Sequence, residues 1–365
     1  MLELNYPLSM RLVCFILLSL SIFSCSNADK TVADLPVCVV DPNQRFFTQN
    51  EMTAAFRNDI IEKLATSNQT DAIGALDRNK TAYFHVRFQM GISPLADYAV
   101  DAQNSTALEM AVRAIEYSFK YQMPDGDFQL VIPADLVASG TATEGDKVSG
   151  IAFFYSALGS GLLALQDNSG YQSQPAAKKR IEILIPQYQI SLSYLKTKKT
   201  LLKQIDADAP NRLFFDALAF YAMGKYLNDP DAMKTGVDFA NLALTKQQPE
   251  GFFVEGTGFD SSYQGVGIAM GFRLLSILKS DEPIRQILYD KLACATRWEM
   301  SRIKPTGEIS TEGNSRVHAG GETFLGKEKQ VAYTSVLIAL WNMYYYSGKE
   351  EYNEFANKVL VFYVL

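Results

Sequence analysis

The sequence predicts an all-α protein built from repeated helical hairpins, and three observations predict it. First, a short turn motif recurs between apolar helical runs. It reads Pro124-Asp125-Gly126-Asp127-Phe128, Pro249-Glu250-Gly251-Phe252-Phe253 and Pro305-Thr306-Gly307-Glu308-Ile309. Proline halts the preceding helix, glycine supplies the left-handed backbone that reverses the chain, and the apolar residue two places on packs back. Second, the spacing is periodic. Copies two and three start 56 residues apart (249 to 305), and copies one and two 125 apart (124 to 249), about two such periods. Repeats of this size stack, because one hairpin cannot bury its apolar face alone. Third, no run alternates apolar and polar residues long enough to argue for a large sheet.

The elements follow in order. Apolar residues recur at helical spacing over 51–65 and 108–123, the latter ending at the first turn. A loop over 129–146 leads to an apolar helix over 148–165, whose Gly and Ser residues suit close helix packing. The next pair is 181–205 and 213–227. Its connection, Asp206-Ala207-Asp208-Ala209-Pro210-Asn211, stands where a turn copy is missing and accounts for the doubled spacing. Pairs over 232–246 with 265–278 and 284–300 with 330–346 follow, then a last helix over 350–364. The total is ten or more helices, four visible hairpins and an irregular first one.

The N-terminus reads as a targeting segment. Arg11 precedes an apolar run over 12–23 that ends at Ser24-Cys25, too short to span a membrane comfortably and flanked like a signal peptide. Ile22-Phe23-Ser24-Cys25 resembles a bacterial lipobox, which implies lipidation of Cys25 and a lipoprotein of the cell envelope, expected at the outer membrane. The expected organisation is a signal peptide over 1–25, a polar tether over 26–50 and one helical domain over 51–365. Cys38 and Cys294 can pair in an oxidising compartment, although two distant cysteines make no disulfide framework. With His85 and His318 the only histidines, no metal or other cofactor is expected. The net charge of −6 argues against nucleic acid as a partner but leaves room for an anionic substrate in a local basic pocket.

The turn style and repeat geometry over 51–364 resemble the α/α-toroid, or six-hairpin, proteins, a group rich in polysaccharide lyases and glycoside hydrolases. The resemblance implies that the connections within hairpins cluster at one end of the toroid and that a polysaccharide or oligosaccharide binds there. Activity does not follow from fold alone.

Two long polar loops follow the second and third turns, over 251–265 and 308–322. Loops that merely connect helices are far shorter. Elimination from a uronate-containing glycan is the favoured chemistry: Arg316 and Asn314 would hold the carboxylate, His318 or Tyr263 would remove the proton, and Tyr263 would protonate the leaving oxygen. Hydrolysis needs two carboxyl groups instead, with Glu255 or Asp260 paired against Glu312 or Glu322. Phe253 and Gln264 complete the substrate-binding candidates. A glycan-binding protein without turnover is the third reading. Asp260 is equally suited to cap the helix that follows it, Tyr263 to pack at that helix start, and Arg316 to form an exposed ion pair. His85, in an apolar segment, reads as a satisfied buried histidine.

Overall fold

The computed structural model describes residues 37–38, 60–132, 143–324 and 327–364, without the side chains of 60–62, 324 and 364. The expected signal peptide, the lipidation of Cys25 and most of the tether lie outside the described residues. The helices are α1 (Ile60–Ser67), α2 (Ile92–Asp101), α3 (Ser105–Phe119), α4 (Glu144–Gln166), α5 (Ser169–Gln172), α6 (Pro175–Glu182) and α7 (Ile185–Ile205). They continue with α8 (Pro210–Leu227), α9 (Pro230–Leu244), α10 (Ser261–Ile277), α11 (Ile284–Ser301), α12 (Tyr333–Ser347) and α13 (Glu350–Val364). Among the described residues the sheet is a two-stranded antiparallel hairpin, β1 (Thr323–Phe324) with β2 (Lys327–Glu328).

Packing separates the helices into two layers. Helices α2, α4, α8, α10 and α12 pack on one another in sequence order, while α3, α9, α11 and α13 each lie against a member of that series, and α7 spans α4 and α8. The inner helices are apolar on nearly every side, as burial between two layers requires. Helix α4 is long and apolar enough to cross a membrane, yet 94% of its most apolar stretch is buried inside the fold. Gly159 of α4 abuts Ala222 and the Met223 backbone of α8, so the missing side chain lets the two helices close up.

The three turns are superimposable in their hydrogen bonding. Met123, Gln248 and Lys304 each donate a backbone N–H to the carbonyl four residues on, and Gly126, Gly251 and Gly307 each donate back to them. Each glycine has positive φ, and a Cβ there would run into a backbone carbonyl of the next outer helix: Ile190, Cys294 or Lys358. A fourth copy runs over 71–75. Asp71 donates to Ala75, Gly74 donates to Asp71, and Gly74 (φ 99°) sits against the Arg113 carbonyl of α3. Ala72 stands where the other copies have proline. This copy makes α1 the outer member of the first hairpin and α2 its inner member.

Most helix boundaries fall within a few residues of the sequence reading, and three differences have local causes. The run 181–205 is broken at Ile183 and Leu184, because Pro186 at the start of α7 cannot donate to a helix continuing from α6. Helix α10 starts at Ser261 rather than 265, since Asp260 caps it. Helix α2 carries no turn proline before it and had no counterpart in the sequence reading. Cys38 and Cys294 are disulfide-bonded with Cα atoms 5.6 Å apart, and the Cys38 N–H donates to the Pro249 carbonyl at 3.0 Å. The stretch expected as free tether is therefore fixed at Cys38 to α11 and the second turn.

Candidate active site

The N-termini of α4, α8, α10 and α12 and the chain preceding α2 meet at one end of the toroid, where the loops after the turns converge. The Asp208 carbonyl accepts from the Gly256 N–H at 2.9 Å, and the Phe259 carbonyl accepts from the Ser315 N–H at 2.8 Å. At the opposite end, Arg273 of α10 makes a two-pronged ion pair with Asp97 of α2 at 2.8 and 2.9 Å.

Several sequence candidates build this end rather than line it. The Asp260 carboxylate accepts four backbone N–H groups: Ser262 and Tyr263 at 3.1 Å, Arg316 at 3.0 Å and Val317 at 2.7 Å. It caps α10 and clamps the 313–317 loop onto the helix start. Asn314 is buried, accepting from the Ser261 N–H at 3.0 Å and donating to the Val317 carbonyl at 2.9 Å. Gln264 is buried and accepts from the Phe253 N–H at 2.9 Å, while the Phe253 ring packs edge-on against Phe214 in the core. Glu312 and His318 are exposed, and His318 Nδ1 lies 3.0 Å from the Ala319 carbonyl.

Glu255, Arg316, Glu322 and Tyr263 do come together, joined by Lys329. Arg316 Nη1 contacts Glu255 Oε1, and Arg316 Nη2 lies 3.0 Å from Glu322 Oε2. The Tyr263 hydroxyl donates to Glu322 Oε2 at 2.8 Å, and Lys329 Nζ reaches both Glu322 Oε1, at 2.7 Å, and the Tyr263 hydroxyl. The Arg316 guanidinium stacks 4.4 Å from the Tyr263 ring centre. One guanidinium thus bridges two carboxyl groups in different surroundings. Glu255 is 3% exposed, and its burial outweighs the guanidinium, pushing its pKa up to about 7. Burial also opposes ionisation of Glu322, but bonds from Lys329, Tyr263 and Arg316 win and hold it at about 2. Burial raises the Tyr263 phenol above its usual range.

The facing wall was not found by sequence reasoning. It comes from a 3-10 turn (Val86–Gln89), α4, and the start of α8. Arg87 lies 4.3 Å over the Phe153 ring, and Phe153 in turn stacks on Phe215 at 4.2 Å. Arg212 donates to Asp206 Oδ1 at 3.1 Å, and Ser149 donates to Asp206 Oδ2 at 3.2 Å. Arg87 is within electrostatic range of Arg212, Tyr263, Asp206 and Asp146. Asp206 and Asp216 are both pushed upward by burial. His85 accepts from the Arg87 N–H at 3.2 Å, and burial lowers its pKa to about 4, so it is a neutral, satisfied histidine. Among the described residues, no group of three or more His, Cys, Asp or Glu is placed to hold a metal ion.

No family model matches the chain, and no curated protein matches it. Solved structures do. A D-mannose isomerase is similar over 86% of this chain and 85% of its own, with 13% identity and a TM-score of 0.50. A glycosyl hydrolase of family 88 from Bacteroides vulgatus is similar over 87% and 85%, with 12% identity and a TM-score of 0.52. The chain is an α/α toroid. At such identity the likeness establishes the fold, and the chemistry rests on the side chains at the mouth.

Proposed function

We propose that the protein is a glycoside hydrolase that binds a saccharide across the N-terminal mouth of the toroid, with Glu255 as general acid. The observation that carries this reading is the split between Glu255 and Glu322 around one arginine. Two carboxyl groups driven apart in pKa are the usual division into proton donor and ionised partner. Glu255, protonated near neutrality, would give its proton to the glycosidic oxygen as the bond breaks. Glu322, ionised throughout, would stabilise positive charge at the sugar ring. Arg316 and Lys329 hold Glu322 in that state, and Tyr263 fixes its orientation.

Elimination by the set Asn314, His318, Tyr263 and Arg316 draws less support. Asn314 spends its amide on Ser261 and Val317, His318 is exposed, and Tyr263 is a hydrogen-bond donor whose phenol resists ionisation. Incubation with a panel of acidic and neutral glycans tests the choice. Reducing ends without new ultraviolet absorbance, lost in Glu255→Gln, are expected. Absorbance rising with the reducing ends would mean elimination, and binding without turnover on every glycan would favour the glycan-binding reading.

The same reading places the protein in the cell envelope, held to the membrane only by a lipid on Cys25. A disulfide such as Cys38–Cys294 belongs to an oxidising compartment. Labelling with a radioactive fatty acid, abolished by Cys25→Ser, is the expected result.

A further inference from the structure

We propose that Arg87, lying over Phe153 of α4 at the mouth, is an oxyanion receptor that takes the carboxylate or sulfate group of a charged sugar residue. That the ligand is a saccharide rests on the reading above; the receptor rests on its own geometry.

The guanidinium of Arg87 makes no ion pair and no hydrogen bond among the described residues, and its one contact of note is the Phe153 ring. A half-buried guanidinium carries five donors that folding has partly removed from water, and such groups normally find acceptors. Stacking on Phe153 holds the fork in place without using any donor. Phe153 and Phe215 are both buried yet stand apart from the main hydrophobic core, so they form a separate apolar platform under the charge.

Among the described residues, no carboxylate on this wall is bonded to the Arg87 fork. Arg212 and Asp206 offset one another through their 3.1 Å ion pair. Asp216 is fully enclosed, and its Oδ2 has no partner. Burial, reinforced by repulsion from Asp206, pushes the pKa of that carboxyl upward and favours its neutral form. Asp146, the other carboxylate in range, bonds the N–H and hydroxyl of Thr143 in a capping box. Asp146 keeps its negative charge, but its bonds go to Thr143, and the donors of Arg87 are left for a ligand. A carboxylate or sulfate matches a guanidinium fork in a way a neutral hydroxyl does not.

Calorimetric titration of the full chain with glucuronate, glucose 6-sulfate and glucose tests this. Either anionic sugar should bind about tenfold or more tightly than glucose, and Arg87→Gln should remove that advantage. Preference for glucuronate assigns a carboxylate and preference for glucose 6-sulfate assigns a sulfate; each supports the receptor. Arg87→Lys, which keeps the charge and loses the fork, should fall between, and it carries the test if Arg87→Gln does not fold. Equal binding of the three sugars, no binding of either anion, or unchanged anion binding in the Arg87 variants would overturn the proposal. Glu255→Gln separates the two readings: it should lower turnover about 10²–10⁴-fold while leaving anion binding at the wild-type level.

Discussion

The two walls of the mouth handle charge in opposite ways. On the wall made by the 251–260 and 308–329 loops, Glu255, Arg316, Glu322, Tyr263 and Lys329 are bonded into one network. On the facing wall, among the described residues, Arg87 rests on an aromatic ring without an acceptor, and Asp216 keeps an oxygen with no partner. A closed network fixes protonation states, because every proton moved disturbs several bonds. An incomplete one leaves bonding capacity for something that arrives later. On the proposed function, chemistry belongs to the first wall and recognition to the second.

The comparison can be broken most sharply at Glu255. Glu255→Gln keeps the shape and removes the acid, so turnover should drop about 10²–10⁴-fold while the melting curve stays cooperative. A smaller loss would move the chemistry elsewhere. The next effect is on stability. Arg316→Gln removes a bonding partner of Glu255 and one of the groups holding Glu322, and should destabilise the fold by about 2 kcal/mol in denaturant titration. Its counterpart on the other wall, Arg87→Gln, breaks no ion pair among the described residues, loses its stacking on Phe153, and should cost about 1 kcal/mol or less. Similar losses for both arginines would erase the distinction between the walls.

The pH dependence sharpens the same contrast. A protonated Glu255 is required, so kcat/KM should fall as pH rises through about 7. Glu322, at about 2, should add no acid limb above that pH. Because the folded pKa of Glu255 lies above its ordinary 4.5, the native state holds an extra proton between the two values. Its contribution to stability is therefore full below about 4.5 and is lost as pH rises toward 7. Glu255→Gln should flatten that slope in melting curves recorded across the range. A subtler effect is expected at Gly256, whose N–H joins the two walls through the Asp208 carbonyl. It has φ 63° with open space around it, so Gly256→Ala should cost about 1 kcal/mol from backbone strain alone.

Much of the fold was legible in the chain. The runs over 284–300 and 350–364 became α11 and α13 almost residue for residue, because their apolar spacing and turn residues are local signals. The turn over 71–75 escaped notice because Ala72 replaces the proline, although its glycine does the same work. Within the site, the long loops carry Glu255, Tyr263, Arg316 and Glu322, which the fold brings together. The sequence offered Asp260 as a helix cap, which it is, but gave no way to see that Asp260 also clamps the 313–317 loop and that Asn314 faces inward beside it. Arg87 and Arg212 lay outside both loops, in helical and apolar surroundings that carry no motif.

By itself, then, the sequence determined the helices, their hairpin repeat and the end at which polar loops accumulate. Helical periodicity and turn backbone are written within a few residues of each position. Only the tertiary structure decided which carboxyl group is protonated, which arginine is paired, and which polar side chains serve as framework. Those properties depend on burial and on partners far away in the chain, as between Arg316 and Glu255, 61 positions apart. Desolvation and charge pairing act through space, so nothing in the local order of residues records them.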